Sequence, residues 1–222
     1  MTGQANNREP ERLDLQALRQ RLTGQPKNGF SIQRYRDQLR DILAICYQSE
    51  VERRGATFRM DAATAEHIDK AAGWLERVSL PKQGLIICGN TGNGKTTMAR
   101  AIAKVIELCN GGSVKRITAL QYAALEADRD ENRYRIIELR QAPVLFIDDL
   151  GTEESSVRVY GNVISPVVEL LYQRYDFQAF TIATSNLTTK ALTEKYGERI
   201  GDRMREMFNV ISFSNPSYRA GI

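Results

Sequence analysis

The sequence has no run of about 18 apolar residues, the length a helix needs to cross a bilayer, so no membrane span is expected. Its opening residues, MTGQANNREPERLD, lack the apolar stretch of a secretory signal, and a cytoplasmic protein is expected. Cysteine is scarce: Cys46, Cys88 and Cys109 lie far apart, are odd in number and show no C-x-x-C spacing. Reduced core thiols fit that pattern better than a disulfide framework or a zinc site. His67 is the single histidine and has no metal-ligating neighbour, so it is expected to be an ordinary surface or core residue. No internal repeat or low-complexity tract is present. Neither sign of charge dominates, because 31 Lys and Arg against 27 Asp and Glu leave a formal net charge of +4. That excess permits contact with a nucleic-acid backbone without requiring it.

What is present suits one α/β domain with a short appendage: 222 residues, 42% of them hydrophobic, are enough for a packed core. Residues 1–30 are polar and hold Pro10, Gly24, Pro26 and Gly29, with one short amphipathic piece in which Leu15, Leu18 and Leu22 share a helical face. So short a helix needs a surface, either its own domain or a partner. A stronger helix follows, capped by Ser31 and patterned by Ile32, Tyr35, Leu39, Ile42, Leu43, Cys46, Tyr47 and Val51, with Gly55 as its end. Another fits Asp61 to Leu80, with Ile68, Ala72 and Leu75 inward and Pro81 as its stop. Residues 1–55 are accordingly expected to form an N-terminal helical extension, and 56–222 the main domain.

From Gly84 onward short apolar strands alternate with helices. The strands are expected at Leu85–Cys88, Val114–Ile117, Val144–Ile147, Phe180–Thr184 and Val210–Phe213, the helices from near Lys95, Ala119, Asn132, Pro166, Leu187 and Glu198. Such alternation predicts a five-stranded parallel sheet covered by helices on both faces.

Residues 89–96, GNTGNGKT, match G-x-x-x-x-G-K-[ST], follow the strand LIIC and open the helix KTTMARAIAKVIELCN. That setting marks a phosphate-binding loop. Gly89, Gly92 and Gly94 let the backbone turn so that successive N–H groups face a phosphate, and the helix N-terminus adds its dipole. Lys95 is expected at the β- and γ-phosphates of ATP and Thr96 on Mg²⁺, with Asn90, Thr91, Asn93 and Thr97 completing the nucleotide-contacting stretch. About 50 residues on, VLFIDD delivers Asp148 at the end of an apolar strand, as a metal-holding acid requires. This strand is expected to sit beside the phosphate-loop strand. Asp149 is placed to accept a proton from an attacking water, although its side chain is shorter than glutamate's. No N-K-x-D string is present, which disfavours guanine nucleotides.

The strings CGNTGNGKT and FIDDLG, with YGERIGDRMREMFNVISFSNPSYR near the C-terminus, resemble the DnaC/IstB-type AAA+ ATPases, the bacterial helicase loaders and transposition helpers. The resemblance spans roughly Asp61 to Arg219, and ERIGDRMR is its most specific part. It implies an AAA+ core without a large C-terminal lid, since few residues follow Arg203. It implies that Asn186, ending FTIATSN, acts as sensor 1 toward the γ-phosphate, and that Arg203 is an arginine finger serving the neighbouring subunit of an ATP-dependent homo-oligomer. Arg199 and Arg205 are alternatives to Arg203, and Arg219 matches a sensor-2 arginine acting in cis. The pair Asp148–Asp149 departs from the more frequent Asp-Glu.

Single-stranded DNA is the expected nucleic acid, and a replicative helicase or a transposase the expected protein partner. In LEADRDENRYRIIELRQAP, Arg129, Arg133, Tyr134, Arg135 and Arg140 suit phosphate contact and base stacking. Asp128, Asp130, Glu131 and Glu138 nearly cancel that charge, so a salt-bridged helix is an equal alternative. Lys115–Arg116 is another candidate contact. The functions implied are helicase loading, assistance to a transposase, or an ATP-gated adaptor with little turnover.

Overall fold

The computed structural model describes residues 32–77, 84–154, 156–159 and 162–219. The Leu15, Leu18 and Leu22 face, Ser31 and Pro81 lie outside them. A 3₁₀ turn, Gln33–Gln38, leads into α1 (Leu39–Glu52), so the first helix begins as a tighter turn than its periodicity suggests. Its apolar stripe buries Leu39, Leu43, Cys46 and Tyr47. Helix α2 (Ala62–Leu75) starts where the Asp61 carboxylate accepts the Thr64 N–H at 2.7 Å. It stops short of Leu80, because the Arg77 N–H bonds the Trp74 carbonyl and the Arg77 Nε the Gly73 carbonyl, closing the last turn.

The main sheet comprises β1 (Gly84–Gly89), β2 (Lys115–Thr118), β3 (Val144–Asp148), β6 (Phe180–Ser185) and β7 (Phe208–Phe213), all parallel in the order β2-β3-β6-β1-β7. The expectation that the acid-bearing strand adjoins the phosphate-loop strand is therefore corrected. β6 lies between β1 and β3, pairing Ile86 with Ala183 on one side and Ile147 with Ala183 on the other. Nothing in the pattern of β3 (VLFID) or β6 (FTIATS) reveals this, because both are short uncharged runs up to their ends, rich in apolar and β-branched residues, that suit any interior place in a parallel sheet.

Helices α3 (Lys95–Asn110), α4 (Ala119–Ala127), α5 (Arg129–Gln141), α6 (Pro166–Asp176), α7 (Thr189–Tyr196) and α8 (Glu198–Met207) complete the core. Their starts have local causes. Thr118 and Gln121 form a reciprocal capping box at α4, Pro166 occupies the first turn of α6, and the Thr188 hydroxyl accepts the Ala191 N–H at α7. The helix expected near Asn132 begins at Arg129, separated from α4 only by Asp128. A two-stranded antiparallel hairpin, β4 (Val157–Val159) and β5 (Asn162–Ile164), was not expected, because three-residue strands carry too little alternation to be recognised.

Strand alternation divides the core into two layers. Leu85, Ile87, Phe146, Phe180, Ile182, Ile211 and Phe213 pack with α1, α2 and α3 on one face. Ile86, Cys88, Leu145, Ile147 and Ala183 pack with α4, α6, α7 and α8 on the other. His67 is buried in α2 and stacks on Phe213 of β7, ring centroids 3.5 Å apart and planes 5° apart. Cys46, Cys88 and Cys109 are free and buried, and burial pushes the Cys88 thiol up to about 11.

Candidate functional site

All five parallel strands end at one edge, and the chemistry of the motif residues collects there. β1 runs into the glycine loop and then α3, with Gly92 (φ 81°) and Gly94 (φ 96°) in the left-handed region. A Cβ on Gly92 would lie 2.1 Å from Ser217 Oγ, and one on Gly94 2.7 Å from the Tyr47 hydroxyl. The loop is thus clasped between α1 and the C-terminal segment. The Tyr218 N–H donates to the Gly92 carbonyl (2.9 Å). The Asn93 amide donates to the Phe213 carbonyl (3.0 Å), and the Asn215 amide to the Asn93 carbonyl (3.2 Å).

Lys95 is buried inside this loop, and its Nζ donates to the Asn90 carbonyl (2.6 Å) and to Asn93 Oδ1 (3.2 Å). Burial pulls its pKa below the usual lysine value, opposed by Asp149, Cys88 and Asp148 and reinforced by Arg219. The Thr96 hydroxyl donates to Asp148 Oδ1 at 2.9 Å, bridging α3 to β3 across the intervening strand. That strand contributes its own hydroxyl, since Thr184 Oγ1 donates to the same Asp148 oxygen at 2.6 Å and accepts the Asp149 N–H at 3.0 Å. Asp149 itself adopts φ 55°, an uncommon conformation for a residue with a side chain. Burial raises the pKa of Asp149, as does the neighbouring Asp148 charge, while Lys95 and Arg219 oppose the rise.

The donor set suits a magnesium-bound triphosphate. A threonine hydroxyl that gives its proton to a carboxylate keeps its lone pairs for a metal. Among the described residues no group of three or more His, Cys, Asp or Glu is placed to hold a metal. Thr96 and Asp148 would hold Mg²⁺ together with water and phosphate oxygens, the ligands this ion prefers.

Two participants had gone unrecognised. Thr184 carried a weak signal, being a threonine near the end of the strand that leads to Asn186. Arg54, which follows α1, carried none. Its Nη1 donates to Thr97 Oγ1 at 3.3 Å, at the first turn of α3. Burial lowers the Arg54 pKa and the charge of Arg100 adds to this, while Glu50 and Asp148 act the other way.

Asn186 follows β6 directly, is exposed, and forms no hydrogen bond among the described residues. Arg219 is exposed, and its charge acts on Lys95 and Asp149. Arg203 lies on α8 over the rings of Tyr172 and Tyr175. Arg205 pairs with Asp202 on the same helix.

The basic stretch of α4–α5 separates into two sets. Glu126, fully buried, accepts from Tyr122 Oη (2.6 Å), Arg129 Nε (2.8 Å) and Arg140 Nη2 (2.5 Å), so Arg129 and Arg140 hold the fold together. Arg133 and Arg135 are exposed and have no ion pair among the described residues, and between them Tyr134 is 90% exposed. Lys115 pairs with Glu138 (2.5 Å) and Arg116 with Glu107 (2.9 Å). Arg53, Arg100, Lys104 and Arg116 line a groove of about 740 Å³ that reaches Asp148.

The sheet order, the glycine loop opening α3 and the acid ending β3 define a P-loop NTPase core of the AAA+ type. A family model described as IstB-like ATP binding protein matches residues 51–221, and the chain belongs to that family. Among curated protein sequences no match is found. The solved structures it resembles include the DnaC helicase loader, at 20% identity and TM-score 0.57, covering 70% of this chain and 93% of that one. DnaI matches at 22% identity and TM-score 0.55, covering 70% and 87%. The replication initiator DnaA bound to AMPPCP and single-stranded DNA matches at 16% identity and TM-score 0.53, covering 72% and 49%. At these identities the likeness establishes a shared fold. No described helix is long and apolar enough to cross a membrane.

Proposed function

We propose that the chain hydrolyses Mg-ATP and, as an ATP-dependent oligomer on single-stranded DNA, delivers a replicative helicase. The observation that carries the reading is the convergence of Lys95, Thr96, Asp148 and Asp149 at the carboxyl edge of the sheet. In this reading the loop N–H groups from Gly92 to Thr97 and the start of α3 bind the phosphates. Lys95 exchanges its bonds to Asn90 and Asn93 for phosphate oxygens. Thr96 and Asp148 hold Mg²⁺, which supplies charge neutralisation for the transferring phosphoryl group. Asp149 takes a proton from the attacking water, its basicity raised by burial and by Asp148. Asn186, at the end of the strand between the loop and the acid, orients that water, and Arg219 contributes in cis.

Arg203 serves the neighbouring subunit, a role supported by a guanidinium that rests over the rings of Tyr172 and Tyr175 and has no ion pair among the described residues. The exposed Arg133, Tyr134 and Arg135 are the DNA contact, with arginines on phosphates and a base on the ring. Residues 1–55 supply the partner-binding extension, whose described helix α1 is packed into the same core as the sheet.

Phosphate release measured with and without single-stranded DNA tests the reading. Turnover is expected to be stimulated by DNA, abolished by Lys95→Ala and lost with Asp149→Asn. Robust nucleotide binding without turnover in the unaltered chain refutes it in favour of a passive adaptor. The family match supports a second reading, assistance to a transposase. Recovery of a transposase in place of a hexameric helicase from ATP-dependent pull-downs would favour that alternative.

A further inference from the structure

Arg203 is held in an unusual way. Its guanidinium carbon lies 4.5 Å from the ring centre of Tyr172 and 5.2 Å from that of Tyr175, both on α6. Its Nε is buried without an acceptor, and among the described residues it has no ion pair. Carboxylates are close at hand on α8, yet Asp202 pairs with Arg205, and Glu206 accepts the Tyr175 hydroxyl proton. Gly201 fixes the other side of α8, since a Cβ there would lie 2.5 Å from Thr193 Cγ2 of α7.

We propose that Tyr172 and Tyr175 are positioning residues that present Arg203, poised and unpaired, to the phosphate held by an adjacent copy of this chain. The proposal rests on the finger reading of Arg203 given above and adds how that side chain is kept ready. A guanidinium engaged by a carboxylate must break charge-assisted bonds before it meets a phosphate. One resting on aromatic faces is held through the ring quadrupole and keeps its N–H fork for an incoming oxyanion. Restricting a long side chain beforehand also lessens the entropy lost when the interface forms. The bond between Tyr175 and Glu206 locks α6 to α8, so the cradle and the finger move as one unit.

Mixed oligomers test this. In a mixture of Lys95→Ala and Arg203→Ala chains, active sites are expected where an intact phosphate loop meets a finger donated by the Lys95→Ala subunit. Adding Tyr172→Leu to the donor should lower kcat of the mixture about 5- to 20-fold, with KM for ATP unchanged. Adding it to the Arg203→Ala subunit, whose finger is already absent, should change nothing and shows that the variant folds. Tyr172→Phe in the donor, which keeps the ring face, should retain activity. Equal losses from both placements, or no loss from the donor placement, overturn the cradle while leaving the finger reading intact. No activity in the starting mixture overturns the finger reading, and the cradle falls with it.

Discussion

Thr184 offers the most direct test of how the acid end of the site is built. Valine in its place keeps the β-branched shape and removes the hydroxyl, so both of its bonds vanish together. One is a 2.6 Å donation to the Asp148 carboxylate and the other the acceptance of the Asp149 N–H at 3.0 Å. A bond to a charged group contributes about 1.5–3 kcal/mol, and a stranded buried N–H costs about 1–3 kcal/mol. Asp149 is only partly buried, so water relieves some of the second cost, and a loss of about 2–4 kcal/mol is expected. For a chain of this size that lowers Tm by about 5–15 °C, measurable by calorimetry. Asp148 would also lose one of two hydroxyls that fix its orientation, so half-saturation by Mg²⁺ in the ATPase assay should move to higher concentration. Thr184→Ser keeps the hydroxyl and gives up one methyl, about 1 kcal/mol, and should restore the Mg²⁺ requirement. A valine variant with unchanged Tm and unchanged Mg²⁺ dependence would refute the bridging role.

Arg54→Ala should weaken binding of a fluorescent ATP analogue by about 5- to 20-fold, because it removes a cation beside Thr97 at the start of α3; equal affinities would place Arg54 outside the site. Arg174, fully buried, donates to the carbonyls of Ala142 (2.8 Å) and Phe180 (2.5 Å) and to Thr181 Oγ1 (2.8 Å), tying α6 to the starts of β3 and β6. Arg174→Met strands those acceptors and should cost about 3 kcal/mol or more in urea unfolding. Burial holds the His67 pKa below 6.5, so the unfolded chain takes up the proton first. The stability from keeping His67 neutral is complete above about pH 6.5 and declines as pH falls toward the folded value. His67→Phe should flatten this portion of the Tm–pH curve, and an unchanged slope would assign the acid sensitivity elsewhere.

The phosphate loop was legible because its information is contiguous. A strand, three glycines and a Lys-Thr helix start specify one backbone path within a few residues, and the structure places them as one turn. The same holds for the sheet's composition, where continuous apolar runs between amphipathic helices identify the strands to within one or two residues at most ends. The hairpin β4–β5 escaped because short strands have little period to detect. Both helices of the α4–α5 pair are expected from the sequence, but α5 begins at Arg129 and not near Asn132, because Asp128 alone divides the two and no loop composition marks the break.

Other features depend on residues far apart in the chain, where no local pattern speaks. Arg129, Arg133, Arg135 and Arg140 are alike as sequence, and only the folded α4 supplies Glu126 to claim the first and last, leaving the middle pair with Tyr134 facing solvent. In the same way Asp202 claims Arg205, whereas Arg203 meets two tyrosines from α6.

The sequence alone thus determined the parts whose geometry is closed by neighbouring residues: the glycine turn, the helix it opens, the acid at a strand end and the alternation of a parallel α/β core. Tertiary structure decided which strand lies between loop and acid, that Thr184 and Arg54 reach them, and which arginines stay unpaired. The reason is physical. Backbone turns and amphipathic faces are set by local sterics and solvation, whereas strand order and charge pairing are settled by packing among elements that meet only when the chain is folded.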